Sequence, residues 1–182
     1  MTESLELAVL SDVTARLESA GFQYMLTGSV AMNYYSQPRM TRDIDMVISL
    51  VDSDSSKIVK IFEGDYYVSA GAVADATRQQ SMFNIVHLES VVKVDFILKK
   101  ETEYRRLEFD RRQRIRVGES EFWIVSKEDL ILSKLHWAKD SRSELQLGDV
   151  RNLLSTNPDL DYVNEWSPVL DVDQLLQDLV DE

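Results

Sequence analysis

Cysteine is absent from the 182 residues, which excludes a disulfide scaffold, a thiolate metal centre and a cysteine nucleophile. Histidine is scarce: His87 and His136 are the only two, and they form no histidine–aspartate cluster of the kind that would suggest a metal-dependent phosphohydrolase. No apolar run approaches the ~20 residues of a membrane span, and no early apolar stretch carries a basic flank. The expectation is a soluble chain of cytoplasmic type with no membrane partner. Internal repeats and low-complexity segments are also missing. Basic residues number 20 against 32 acidic ones, a formal net charge of −12. Such a surface disfavours non-specific binding to duplex DNA or anionic membrane. What is present is ordinary for a globular protein: 44% hydrophobic and 29% charged residues, enough for one core with a helical appendage.

The charge is unevenly spread. From Ser155 to Glu182 there are eight acidic residues and no Lys or Arg. From Lys99 to Arg116 there are eight basic residues against Glu101, Glu103, Glu108 and Asp110. A basic band on an acidic chain either meets phosphates or faces the acidic tail, and charge runs of this kind usually serve solvated faces.

Periodicity divides the chain in two. Leu5, Val9, Val13 and Leu17 form an i, i+4 stripe that predicts an amphipathic helix over 3–20, closed by Gly21. Phe22 to Thr27 reads as a short strand, leading through Gly28-Ser29 into a helix over 30–35 that stops before Pro38. A buried strand is predicted over 43–50, a helix over 53–62, paired strands over 83–88 and 91–98, and a hairpin over 113–117 and 121–125. Residues 65–80 have no clear period. Ser126-Lys127-Glu128-Asp129 is a capped helix start, and two or three further helices follow, with breaks at Pro158 and Pro168. The fold class expected is α/β (α+β): a mixed sheet flanked by helices over residues 1–125, and a helical part over 126–182 packed on it.

Chemistry concentrates in Gly28-Ser29 and the run Arg39-Met40-Thr41-Arg42-Asp43-Ile44-Asp45. Asp43 and Asp45, two apart on a strand, project from one face. Like charges held together on a buried strand cost free energy unless a cation joins them. Oxygen-only ligands with no Cys or His nearby suit Mg²⁺ or Mn²⁺. Asp95 lies within the apolar run Val91–Leu98, where an acid needs a partner. Three strand-borne acids converging on one site meet the requirement of two-metal phosphoryl or nucleotidyl transfer. Gly28, at a strand-to-helix turn, lets backbone amides approach an anion, which the helix N-terminus favours. Taken singly, each feature has a structural reading as a turn, a cap or a solvated strand end. Their order along the chain is what points to chemistry.

These segments resemble the nucleotidyltransferase superfamily with a DNA polymerase β-like fold, and within it small bacterial and archaeal members related to abortive-infection and toxin-type nucleotidyltransferases. The similarity rests on Leu26–Ala31 with Arg39–Asp45, on Phe83–His87 with Lys93–Ile97, and on Ser126–Leu135 with Gln146–Val150. It implies that Gly28 and Ser29 hold a nucleoside triphosphate's tail, that Asp43 and Asp45 coordinate the metals, and that Asp95 completes the metal site and helps deprotonate an acceptor hydroxyl. Arg39 and Arg42 either hold phosphate oxygens bidentately or balance the acidic cluster. Lys134, on the first C-terminal helix, is either a phosphate contact or a surface lysine. The activity implied is Mg²⁺-dependent transfer of an NMP from an NTP to a hydroxyl acceptor with release of pyrophosphate. RNA, a protein and a small molecule all remain open as acceptor. The alternative is a non-catalytic module of the same fold that binds a toxin–antitoxin partner protein. His87, His136, Trp137 and the paired tyrosines at 34–35 and 66–67 read as packing residues, and Ser29 lacks a base partner for nucleophilic catalysis.

Overall fold

The computed structural model describes residues 4–181. The N-terminal stripe folds as α1 (Leu5–Ser19), whose Ser4 side chain accepts from the Leu7 N–H; the expected start at Glu3 lies outside the described residues. The chain then runs through β1 (Tyr24–Thr27), α2 (Gly28–Tyr35), β2 (Asp43–Ile48), α3 (Ser55–Phe62), β3 (Tyr66–Val68), α4 (Ala70–Gln79), β4 (Met82–His87) and β5 (Lys93–Leu98). It continues with α5 (Glu103–Asp110), β6 (Gln113–Val117), β7 (Ser120–Ile124) and the helices α6 (Lys127–Ser141), α7 (Glu144–Leu154), α8 (Leu160–Trp166) and α9 (Asp173–Val180). The seven strands form one mixed sheet in the order β3-β4-β5-β2-β1-β7-β6.

The centre of that sheet sets the site. β2 lies antiparallel to β1 and parallel to β5, so it is covered on both edges. Its apolar positions Ile44, Met46 and Ile48 are at most 1% exposed. They alternate with Asp43, Asp45 and Val47, so the two sets occupy opposite faces. On the apolar face Phe96 of β5 packs against Phe62 of α3 and Phe83 of β4. On the other face a cleft separates Val47 and Ile97 from α5 and α6, and α6 packs against α2, α7 and α8. The first C-terminal helix is therefore part of the wall of the site.

Three departures from the sequence reading have local causes. Residues 65–80 form β3 and α4; β3 has only three residues, too few for a period to register. Within the basic band, 103–110 is helix α5, begun by a Thr102 cap on the Arg105 N–H, and mixed charges mask its apolar face of Tyr104 and Phe109. The band meets the tail through rings rather than carboxylates, Arg111 lying over Tyr162 and Tyr104 beside Trp166, while its ion pairs are made elsewhere. Arg105 pairs with Glu108, Arg111 with Asp129, and Arg114 and Arg116 with Glu121. Tail carboxylates Asp171 and Asp178 meet Lys139 and Arg142 instead. Of the acidic tail, Glu182 lies outside the described residues. Among those described, no helix is long and apolar enough to cross a membrane.

Candidate active site

β1 ends at Thr27 and α2 begins at once, which requires an abrupt change of direction. Gly28 makes it with φ +63°, the left-handed region where a Cβ is disfavoured. Space imposes a second requirement. A Cβ on Gly28 would stand 2.1 Å from Asp45 Oδ2, because Thr27 and Asp45 are cross-strand partners. The bare backbone lets the Asp45 carboxylate reach the start of α2, where the Ser29 N–H donates to it.

Asp45 and Asp95 are register partners on the parallel strands β2 and β5, as are Asp43 and Lys93. All four side chains leave the same face. The Lys93 Nζ lies 2.9 Å from Asp95 Oδ2 and 3.3 Å from Asp43 Oδ2, an ammonium bridging two of the three acids. Among the described residues, no three Asp, Glu, His or Cys side chains are drawn together closely enough to hold a metal ion. The convergence of Asp43, Asp45 and Asp95 expected from sequence is therefore incomplete. Lys93 stands between exposed Asp43 and buried Asp95, bonded to both. In kind the donor set still fits a hard divalent cation: carboxylate oxygens only, on adjacent strands, two of them already holding one cationic group, the Lys93 ammonium.

Asp45 has no such ammonium and shows the electrostatic cost. Burial pushes its carboxyl up to about 6, the charges of Asp95 and Asp43 adding to the effect, while the Ser29 N–H and Lys134 pull the other way. Because the folded value lies above the ordinary one of 3.8, this carboxyl favours the folded state fully below about pH 4. That contribution is lost as pH rises through about 6, a change of up to ~3 kcal/mol. In urea titrations of metal-free protein, the stability gap between Asp45→Asn and the native chain should widen in favour of the variant from pH 4 to 6.5. Parallel curves would contradict the burial and repulsion assigned to Asp45.

The other expected residues divide. Arg39 reaches into the site: its Nη2 donates to Ser29 Oγ at 2.6 Å, and Nε and Nη2 grip Asp149 at 3.1 and 3.0 Å. Lys134 is not a surface lysine. It is 3% exposed, donates to Asp149 Oδ2 at 2.8 Å and to Gln146 Oε1 at 3.1 Å, and lines a crevice with Gly28, Ser29 and Asp45. Burial lowers its pKa. Arg42 is exposed at a hollow it shares with Arg39, Leu7, Leu10 and Ile44. His87 bonds Ser90 near the sheet edge.

Two residues of the site carried no role in the sequence reading. Lys93 had a usable signal, because its spacing of two from Asp95 places both on one strand face. Asp149 lay within the Gln146–Val150 segment of the resemblance but with no role attached; its importance comes from α7 folding back onto α6, which carries it to Arg39 and Lys134. Burial pushes Asp149 up, but hydrogen bonds from Arg39 and Lys134 outweigh this and hold it below the usual carboxylate range.

Comparison with solved structures gives the same arrangement a wider setting. The antibiotic-resistance factor ANT(2'')-Ia superposes with a TM-score of 0.58 at 12% identity, covering 97% of this chain and 94% of its own. A lincosamide antibiotic adenylyltransferase, LnuA with lincomycin bound, gives 0.56 at 16% identity, with 81% and 96% covered. An antigenic nucleotidyltransferase-like protein from Paracoccidioides brasiliensis gives 0.55 at 19% identity, with 81% and 73% covered. The chain has the nucleotidyltransferase fold. No family model matches the sequence, and no curated protein does, so it is the course of the backbone that carries this assignment. Within the nucleotidyltransferase fold of this chain, Gly28, Ser29, Asp45 and Lys134 line one crevice, and Asp149 joins it through its bonds to Lys134 and Arg39.

Proposed function

We propose that this chain is a Mg²⁺-dependent nucleotidyltransferase that moves an NMP from an NTP to a hydroxyl acceptor and releases pyrophosphate. The observation that carries the reading is the in-register placing of Asp45 and Asp95 beside the Gly28–Ser29 turn. Asp43, Asp45 and Asp95 would hold Mg²⁺ or Mn²⁺ once Lys93, 36% exposed along its side chain, swings aside. Bound metal supplies charge neutralisation at the phosphates and a lowered acceptor pKa.

The chain's own residues do the positioning, which is most of the work in phosphoryl-type transfer. Ser29 and the first turn of α2 orient the triphosphate, with Arg39 poised at Ser29 Oγ to exchange that contact for a phosphate oxygen. Asp95 accepts the acceptor's hydroxyl proton. The acceptor oxygen then bonds to the α-phosphorus as the α–β bridging bond breaks, and pyrophosphate leaves with that bond's electron pair.

The test is label transfer. With Mg²⁺ and each α-labelled NTP, native protein should label an acceptor among total RNA, cell extract or the protein itself. Asp45→Asn and Asp95→Asn should cut transfer at least ~10²–10³-fold, the scale expected for a lost electrostatic contact. No transfer, with no Mg²⁺-dependent nucleotide binding by calorimetry, would overturn the reading and leave a partner-binding module.

A further inference from the structure

The cation set among the strand-borne acids belongs to the chain itself. Lys93 faces Asp43 across the β2–β5 register and precedes Asp95 by two on its own strand. Its ammonium therefore reaches one carboxylate sideways and the other lengthwise, at 3.3 and 2.9 Å. β5 is paired on both edges, to β4 and to β2, which holds the backbone under Lys93 in place. The side chain is less confined: it is 36% exposed, on a flexible four-carbon stem. A cation anchored at its base and free at its tip can leave the acids and return to them.

Resting on the nucleotidyltransferase reading, we propose that Lys93 determines which form of divalent cation the site accepts: it refuses the bare ion and yields to a metal–polyphosphate complex. The reason lies in what each incoming species leaves to the ammonium. A bare Mg²⁺ or Mn²⁺ must break both ion pairs, with Asp43 and with Asp95, and supplies no anion in return. Asp149, the other buried acid joined to this site, offers the ammonium no new partner, being held by Lys134 at 2.8 Å and by Arg39 at 3.0 Å. A nucleoside triphosphate that arrives with its cation brings phosphate oxygens, which an ammonium binds as a point charge. The two carboxylate contacts are then exchanged for phosphate contacts instead of being lost.

This differs from plain neutralisation of the acids. A lysine placed only to offset negative charge would weaken the bare ion and the complex alike. Lys93 instead discriminates between them, because it opposes one and gains a partner from the other.

Two titrations of the full chain separate the ligands. Mn²⁺ alone is followed by the electron paramagnetic resonance of the free ion. The Mn²⁺ complex of α,β-methylene-ATP, which cannot be cleaved at the α–β bridge, is followed by calorimetry. Lys93→Met, checked for folding by circular dichroism, should bind Mn²⁺ alone at least ~tenfold more tightly, the size of one charge-assisted contact. The same variant should bind the nucleotide complex no more tightly than native protein does. Lys93→Gln, a polar replacement, should repeat both results, and Lys93→Arg, which keeps the charge, should stay close to native. Asp95→Asn added to Lys93→Met should remove the gain, since the ion would be held by the carboxylates. Unchanged Mn²⁺ affinity in both neutral variants, equal gains for ion and complex, or a gain that survives Asp95→Asn would overturn the proposal. With native protein still binding the complex, each of those outcomes leaves the transferase reading standing. Failure of native and variant chains alike to take up the nucleotide complex would refute that reading, and the proposal with it.

Discussion

Gly28→Ala is expected to cost at least ~3 kcal/mol of stability and to abolish any transfer activity, a larger effect than any other glycine substitution in the chain. Two terms add. A left-handed backbone carrying a Cβ costs ~1–2 kcal/mol, and the new methyl would lie 2.1 Å from Asp45 Oδ2 and 2.8 Å from Asp45 Cβ. The carboxylate cannot simply turn away, because β2 is hydrogen-bonded on both edges and the Ser29 N–H holds the group in place. Gly118 supplies the control. It has φ +61° at the β6–β7 turn with nothing within 4 Å of an added Cβ, so Gly118→Ala carries the backbone cost alone. Urea midpoints of the two variants should therefore differ by the steric share. Adding Asp45→Ala to Gly28→Ala should recover most of that share without restoring activity. Equal losses at Gly28 and Gly118 would show that Asp45 does not occupy the space above the turn.

The second large effect is expected at Asp149. It is 2% exposed and sits between Arg39 and Lys134. Removing one partner from a buried ionic group leaves the others uncompensated, at a cost of ~3–5 kcal/mol. Asp149→Ala should therefore be among the most destabilising single changes in the C-terminal helices. Lys134 feels it more than Arg39, whose side chain is 28% exposed and can turn to water. An apolar replacement of both members, Asp149→Leu with Lys134→Met, should regain much of the loss. The pH dependence has the opposite sign to that of Asp45. A carboxyl held below its ordinary value contributes stability above about pH 4, and that contribution disappears as pH falls through the folded value. Thermal midpoints measured from pH 7 downward should converge for the native and Asp149→Ala proteins, and a constant gap would refute the pairing.

The residues that sequence made legible are those whose role is local. Asp43 and Asp45 declare a shared face through their spacing of two, and Gly28 declares a turn by separating a strand from a helix. The Ser126 cap was legible too, and the structure shows its side chain accepting from the Asp129 N–H. Partners brought in from a distance were not. Nothing near Asp149 announces Arg39, 110 positions away, and nothing near Glu121 announces that it, rather than the acidic tail, receives Arg114 and Arg116. Charge runs mislead because a long cation can choose among several acids, and the choice is made by packing. Lys93 falls between these cases: the same period-two argument that selected Asp95 selects it as well, and its position beside Asp43 follows once β2 and β5 are parallel.

The strand that delivers the Gly28 turn has one further consequence. β1 lies between β2 and β7, and it meets β7 at Leu26 and Ile124, with the Val125 N–H donating to the Leu26 carbonyl. One side of β1 is thus completed early in synthesis and the other only after most of the chain exists. Contacts so far apart in sequence make for slow folding, and until Val125 has left the ribosome β1 presents an unpaired edge open to other chains. A chain truncated before β7 would therefore hold the turn and its carboxylates on β1, β2 and β5 and still be an aggregation hazard.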